Sequence, residues 1–598
     1  MTDYVAPLPD MQFVLKEIAG LDAIAKLPGF EDATPELVDQ VLTEAGKFAA
    51  GVLAPLNRVG DEEGSRLENG AVVTPKGFRE AYGAFAEGGW NSVPFEAEWG
   101  GQGLPWSVAI VLQEMWSSAN MSFALCPLLS QGAIEALQRH GSPEQKATYL
   151  PKLISGEWTG TMNLTEPQAG SDVGALRTRA VKEGDHYRIT GQKIFITYGE
   201  QDFSENIVHL VLARVQGAPA GTKGISLFIV PKFLPKPDGS LGARNDLRCL
   251  SLEHKLGIKA SPTCVMAYGE TDGGAIGFLV GEEQRGMEYM FTMMNNARLS
   301  VGVEGLAIAE RALQQARSYA RQRVQSRAVD AKGGEPSTII HHPDVRRMLM
   351  TMRALVEAMR ALTYLNAAEL DRAKRATDEA ARTKALLRAE LLTPLSKAWS
   401  TDRGVDVASL NIQVHGGLGF IESTGAAQHL RDARIAPIYE GTNGIQAIDL
   451  VGRKLGRDQG QAMTALIEEM RADAKALGAE SDKDLAAIAA SLVAAIELLA
   501  GTTQWIVERL KSGLPQVLAG AMPYLELAGL TVGGWLLARQ ARAARRQLAA
   551  GTSDHGYLSA KIATALFYGT NLLPRAHGFA AAVTAGADST LRLAPDQL

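Results

Sequence analysis

"PIYEGTNGIQ", residues 437–446, sets one carboxylate, Glu440, between Tyr439 and a Gly-Thr turn, with apolar residues on both sides. A surface turn needs no such setting. A base that takes a proton from carbon does: an exposed glutamate titrates near 4.3 and is too weak, whereas burial against apolar walls disfavours its charge and brings its basicity toward neutral pH.

Three other stretches hold residue types suited to a large ligand. "TEPQAGSD", residues 165–172, is rich in small residues. They let a phosphate approach the backbone, with the Ser171 hydroxyl as a further donor, although turn formers of this kind also make plain surface loops. "KIFITYG" carries Phe195 and Thr197 near the end of a strand; the ring either fills a core or covers a flat heterocycle whose edge Thr197 could bond. "QVHGGLGF", residues 413–420, combines glycines with a glutamine but lacks the preceding strand of a Rossmann fingerprint. His415 reads as structural, since no metal-type cluster accompanies it.

These residues must be positioned by a chain of 598, long enough for several cores. With 46% apolar and 21% charged residues it reads as soluble and folded, and a net charge of -6 gives no electrostatic reason to expect nucleic acid. Its 3 cysteines form no CxxC pair, which fits a reducing, cytoplasmic setting without disulfides or zinc. No export signal is visible at the N-terminus. The apolar run "LAGLTVGGWLLA", residues 527–538, is too short to span a bilayer and suits a buried helix. The basic run "RQARAARRQ" after it reads as a solvated helix face, and it leaves weak membrane-surface association open.

Apolar spacing of three and four residues predicts helices over residues 1–157. From 158 to 285 short β-rich runs take over, including "HYRITGQKIFITYG", read as two strands around a Thr-Gly turn. Long amphipathic helices return over 286–455, and Ala- and Leu-rich helices fill 456–598. The expected class is α+β, mainly α: an N-terminal helical domain, a β-domain, a helical bundle and an additional helical domain.

In order along the chain, "TEPQAGSD", "KIFIT", "KLGIKASPT", "ARLSVG", "HGGLGF" and "YEGTNGIQ" make it resemble the acyl-CoA dehydrogenase flavoproteins over about residues 35–450. The length and C-terminal extension look most like a bacterial branch that includes 3-methylmercaptopropionyl-CoA and large fatty acyl-CoA dehydrogenases. The resemblance implies FAD as cofactor and an acyl-CoA as substrate. It makes Glu440 the base that removes the α-proton while the β-hydrogen leaves as hydride to the flavin N5, giving a trans-2-enoyl-CoA. It further implies flavin contacts from Leu164, Thr165, Gly170, Ser171, Phe195 and Thr197, with Phe195 where relatives often carry Trp. Arg323, Gln413, Gly416, Gly417 and Thr442 match positions near the cofactor, the first four reaching across to a second subunit. Arg298, Tyr439, Gly441 and Ser171 are implied at the substrate, and residues 120–129 at the end of the acyl pocket.

Asn295, Ser326 and Gly444 depart from the family pattern. An electron-transferring flavoprotein as electron acceptor and a homodimer are implied by the same resemblance. Two alternatives share the fold: an oxidase using O2, and a DNA-associated alkylation-response flavoprotein supported only by the basic run. Nitroalkane oxidases use Asp as base, which Glu440 argues against.

Overall fold

The computed structural model describes residues 4–271, 273–329 and 334–598. Two compact units emerge. One comprises Lys47–Leu104 and Met115–Ala297; the other comprises Met1–Gly46, Pro105–Glu114 and Arg298–Leu598.

The first unit is built on eight strands: β1 (Trp158–Asn163), β2 (Arg179–Glu183), β3 (His186–Thr197), β4 (Asn206–Val215), β5 (Ile225–Pro231), β6 (Leu247–Leu252), β7 (Thr263–Tyr268) and β8 (Ala275–Leu279). Their order is β6-β7-β3-β8-β5-β4-β1, and β2 bridges β3 and β4, so five strands close into a ring. β4 and β5 read as near-continuous apolar runs because both their faces are covered.

The expected turn at Thr190-Gly191 is not a turn. β3 runs unbroken through it, pairing before it with β2 and β8 and after it with β7. Glycine stands there because Thr178 crowds the strand: a Cβ on Gly191 would lie 2.5 Å from the Thr178 Oγ1 and 2.8 Å from its Cα. The same unit contains most of helix α1 (Trp106–His140), which breaks at Asn120 (φ -158, ψ 91). The Asn120 side-chain oxygen accepts a hydrogen bond from the Phe123 N–H at 3.1 Å, so it caps a second helix inside what reads as one apolar run.

The second unit is helical. It holds most of α2 (Gly286–Gln322), then α3 (Pro343–Arg375), the π-turn Leu395–Trp399, α4 (Ser400–His415) and α5 (Asn443–Ile448). The C-terminal helices α6 (Lys483–Arg509), α7 (Ala521–Ala549) and α8 (His555–Asn571) pack against one another, and α7 and α8 also pack on α3. The expected architecture, a β middle between helical parts plus an additional C-terminal helical domain, is the observed one. The run 527–538 lies in the buried middle of α7. By length and composition alone, α6 is the one helix among the described residues apolar enough to cross a membrane; it packs against α7 and α8 instead.

The basic run at the end of α7 is not a free cationic face. Arg539, Arg542, Arg545 and Arg546 pair with Asp473, Glu480, Asp482 and Glu17 at 3.9, 2.8, 2.6 and 2.5 Å. The one sequence feature that favoured nucleic acid is thereby neutralised within the chain.

α2 approaches the π-turn and the start of α4 backbone to backbone. A Cβ on Gly302 would stand 2.4 Å from the Ser396 carbonyl oxygen, and one on Gly305 would stand 2.6 Å from that of Ser400. Neither contact is with a side chain that could swing away. Gly305→Ala therefore forces two helices apart, and we expect a loss of about 1–3 kcal/mol, read as a lower urea midpoint. An unchanged midpoint would show that the crossing is loose.

Candidate active site

In the β-unit, the loop 164–171 and the end of β3 are bound into one structure. Ile194 N donates to the Thr165 carbonyl at 2.9 Å, and Lys193 Nζ donates to the Leu164 carbonyl at 2.9 Å. Buried Glu166 organises the loop. It accepts from Lys193 Nζ (2.8 Å), the N–H groups of Arg177 (2.6 Å) and Thr178 (3.0 Å), the Thr178 hydroxyl (2.6 Å) and Gln168 (2.7 Å). Burial works against its charge, but Lys193 and these hydrogen bonds outweigh it and hold its pKa at about 2.

Above this anchor the loop is open. Gly170 and Ser171 are exposed, and the nearest atom to a Cβ on Gly170 would be 4.0 Å away. Phe195 takes a left-handed backbone (φ 60), costly for a bulky residue, and is 59% exposed. An aromatic side chain held outside the sheet beside an open small-residue loop suits stacking on a flat heterocycle, so these residues fit FAD.

In the helical unit, Glu440 also sits in the left-handed region (φ 55), followed by Gly441 at φ 80. Glycine is required at 441, where a Cβ would meet Gln446 Nε2 at 2.9 Å. Gln446 donates to the Glu440 carbonyl at 3.2 Å, and the Thr442 hydroxyl caps α5 by accepting from Ile445 N at 3.4 Å. The Tyr439 hydroxyl donates to the Glu304 carboxylate in a very short hydrogen bond.

Glu440 keeps a solvent-reachable face, yet dense protein around it pushes its pKa up to about 7 against the opposing pull of Arg298 and Lys397. Arg298 is buried, with its Nη2 3.8 Å from where a Gly441 Cβ would stand. Glu304, 1% exposed, is driven to about 8, chiefly by burial. The turn thus holds a carboxylate poised to gain or lose a proton near neutrality.

Arg323, Gln413, Gly416, Gly417 and Thr442 are all exposed on the helical unit. Leu418, Phe420 and Ile421 beside them are 46%, 84% and 50% exposed. His415 is buried, stacks on Tyr319 with ring centroids 4.2 Å apart, and bonds the Asn411 carbonyl at 2.8 Å, the place of a structural histidine. Among the described residues no group of His, Cys, Asp or Glu could hold a metal ion.

The implied residues thus form two sets. Leu164, Thr165, Gly170, Ser171, Phe195 and Thr197 belong to the β-unit, and Arg298, Tyr439, Glu440, Gly441 and Thr442 to the helical unit. Sequence reasoning missed their supports. Glu166 lies within "TEPQAGSD" and Lys193 opens "KIFIT", so the available signal was a charged residue inside each of these motifs. Glu304 and Lys397 stood in ordinary helical runs.

Known protein families match the chain along most of its length. The family model described as "Acyl-CoA dehydrogenase, N-terminal domain" matches residues 36–157, the middle-domain model 161–271 and the C-terminal-domain model 284–455. A fourth, "Acetyl-CoA dehydrogenase C-terminal like", matches 466–594. The chain is 48% identical over 592 residues to 3-methylmercaptopropionyl-CoA dehydrogenase of Ruegeria pomeroyi, covering 98% of this chain and 99% of that one. It is 35% identical over 598 residues to a butyryl-CoA dehydrogenase of Syntrophomonas wolfei, covering 96% of each. The acyl-CoA dehydrogenase of Bacillus anthracis complexed with FAD shares the fold, with a TM-score of 0.74 at 21% identity over 98% of this chain and 93% of that one.

Proposed function

The chain belongs to the acyl-CoA dehydrogenase family, and on that premise we propose that it oxidises 3-methylmercaptopropionyl-CoA, or a fatty acyl-CoA, to the trans-2-enoyl-CoA with Glu440 as the base. It is an FAD-dependent oxidoreductase acting on acyl-CoA thioesters. The observation that carries the assignment of the base is the setting of Glu440: a left-handed turn, an enclosing protein wall and a pKa lifted to about 7.

Leu164, Thr165, Gly170 and Ser171 would cradle the cofactor's polar parts, and Phe195 and Thr197 would meet its ring system. Bound FAD supplies a two-electron acceptor for the hydrogen that leaves the β-carbon. The chain's own task is the α-proton. In water that proton is far too weakly acidic for a free glutamate to remove, so Glu440 must work where water is scarce and where the thioester oxygen is stabilised as charge builds on it. A left-handed Glu440-Gly441 turn can aim the carboxylate at the α-carbon and leave backbone N–H groups for that oxygen. Arg298 keeps enough of the carboxylate ionised at pH 7 for it to act as a base.

The relative's substrate supports 3-methylmercaptopropionyl-CoA ahead of straight-chain thioesters. An electron-transferring flavoprotein fits as the electron acceptor. The exposed row of Gln413, Gly416, Gly417 and Arg323, with bare Phe420 beside it, supports a homodimer in which this surface meets a second copy.

The test is spectroscopic. Flavin-loaded protein is mixed without oxygen with 3-methylmercaptopropionyl-CoA and with acyl-CoAs of graded length. We expect the yellow absorbance to bleach, fastest with the methylthio substrate, and reoxidation to be quick with a flavoprotein acceptor and slow in air. No bleaching by any thioester would overturn the reading, and fast turnover in air would make the enzyme an oxidase.

A further inference from the structure

A fully buried lysine stands behind the Glu440 turn. Lys397 Nζ donates to the Gly441 carbonyl and to the Asn443 side-chain oxygen, both at 2.9 Å. Asn443 is itself pinned, its Nδ2 donating to the Ala398 carbonyl (3.1 Å), the Thr401 hydroxyl (3.0 Å) and the Asp402 carboxylate (2.8 Å), and its N–H to the Pro437 carbonyl (3.0 Å). Lys397 belongs to the π-turn Leu395–Trp399, all five residues of which are buried. A π-turn inserts one residue into a helix and re-aims the residues after it, and such insertions concentrate at functional sites.

The C-terminal domain grips the same turn. Trp399, fully buried, lies in a notch of α7: a Cβ on Gly529 would stand 2.4 Å from its ring, and one on Gly533 3.0 Å. Tyr568 of α8 closes the notch, its hydroxyl donating to the Leu530 carbonyl at 2.9 Å. Glu526 of α7 pairs with Arg403, next to Asp402, at 3.2 Å. A continuous path of contacts therefore runs from α7 through Trp399 and Lys397 to the backbone of the Glu440 turn.

We infer that Lys397 is the positioning residue for the base, and that the C-terminal domain serves catalysis by holding the π-turn that carries it. The inference rests on the reading of Glu440 as that base. A buried ammonium is costly unless charges and hydrogen bonds repay its lost hydration. The charged and titratable groups facing Lys397 are Glu440 on its turn, Asp402 on α4, and Glu304 and Arg298 on α2. The three carboxylates favour its charge, while burial and Arg298 oppose it and bring its pKa down to about 7. In return its charge favours ionised Glu440. Without Lys397, Glu440 therefore holds its proton to higher pH.

The test uses flavin-loaded Lys397→Met and, as a milder change, Trp399→Phe. Two readouts are needed: the pH profile of anaerobic flavin reduction, and the infrared titration of the Glu440 carboxyl, obtained as wild type minus Glu440→Gln. For Lys397→Met we expect both midpoints to move up by about one pH unit and reduction at pH 7 to fall about fivefold, with KM for the thioester little changed. Trp399→Phe should move both midpoints the same way by less, and it carries the test if Lys397→Met does not fold. Unmoved infrared midpoints in the folded variants would overturn the inference. The base assignment would stand in that case provided Glu440→Gln is inactive; an active Glu440→Gln would overturn the base assignment itself.

Discussion

Glu440→Gln should keep FAD bound and slow anaerobic bleaching ~10²–10⁴-fold, the span expected when a general base is removed without disturbing the site. Glutamine matches glutamate in size, and the backbone features that shape the turn survive the change: the left-handed Glu440, Gly441 and the Lys397 bond to the Gly441 carbonyl. What disappears is the carboxylate proposed to accept the α-proton. The wild-type profile carries the matching sign. A base acts only when ionised, and burial raises Glu440 to about 7. The rate should therefore be on its plateau above that pH and fall about tenfold per unit below it. Stopped-flow reduction across pH 5–9 tests both statements. A variant as fast as wild type, or a wild-type profile flat down to pH 5, would mean another group takes the proton.

The second large effect is on stability. Arg360, 1% exposed, compensates three carboxylates at once: Asp10 (2.5 Å), Glu114 (2.6 Å) and Glu310 (2.7 Å). Tyr364 adds a hydrogen bond to Glu114 at 2.5 Å. From α8, Lys561 meets Asp10 in a very short ion pair and Glu357 at 3.1 Å, and Tyr557 bonds Asp10 at 2.9 Å. One network thus ties the N-terminal helix, the bundle and the C-terminal domain.

Arg360→Met strands carboxylates in a low-dielectric interior, and a loss of about 3–5 kcal/mol is expected. Burial works against charge on Asp10, yet Lys561 and Arg360 outweigh it and hold its pKa well below the usual carboxylate range. Its contribution in the wild type is therefore present above its unfolded pKa and lost as pH falls through the folded one. Burial already raises the Glu114 pKa in the wild type against the pull of Arg360; without Arg360 the cost of its charge grows, and protonation should relieve it. The gap between wild type and variant should be wide at pH 8 and narrow at pH 5. Urea unfolding at the two pH values measures it, and an equal gap at both would show that the network's charges are not what holds it.

Much of the fold was legible because its signals are local. The strands at 206–215, 225–231 and 263–268 alternate or run apolar for the length of one sheet crossing, and the bundle helices repeat at three and four residues. Gly191 misled because a glycine can mark a turn or a close approach, and only the position of Thr178, distant along the chain, decides between them. Asn120 carried a signal, a helix-competing side chain inside an apolar run, that periodicity alone passes over. The motif residues of the candidate site were visible for the same reason as the strands: a glycine-bounded glutamate and a loop of small residues are uncommon in short stretches. Lys397, Glu304 and Arg360 were not visible. Each looks like an ordinary helical residue until residues 441, 439 and 10 are brought beside it, and no spacing along the chain records those meetings.

The proposed reaction turns on one step, removal of the α-proton by the Glu440 carboxylate. It is tested most directly by following the C2 hydrogens of the thioester by NMR in deuterated water, with flavin-loaded enzyme kept without oxygen or acceptor. Wild type should exchange those hydrogens for deuterium and Glu440→Gln should leave them in place. Exchange at the wild-type rate in the variant would contradict the account.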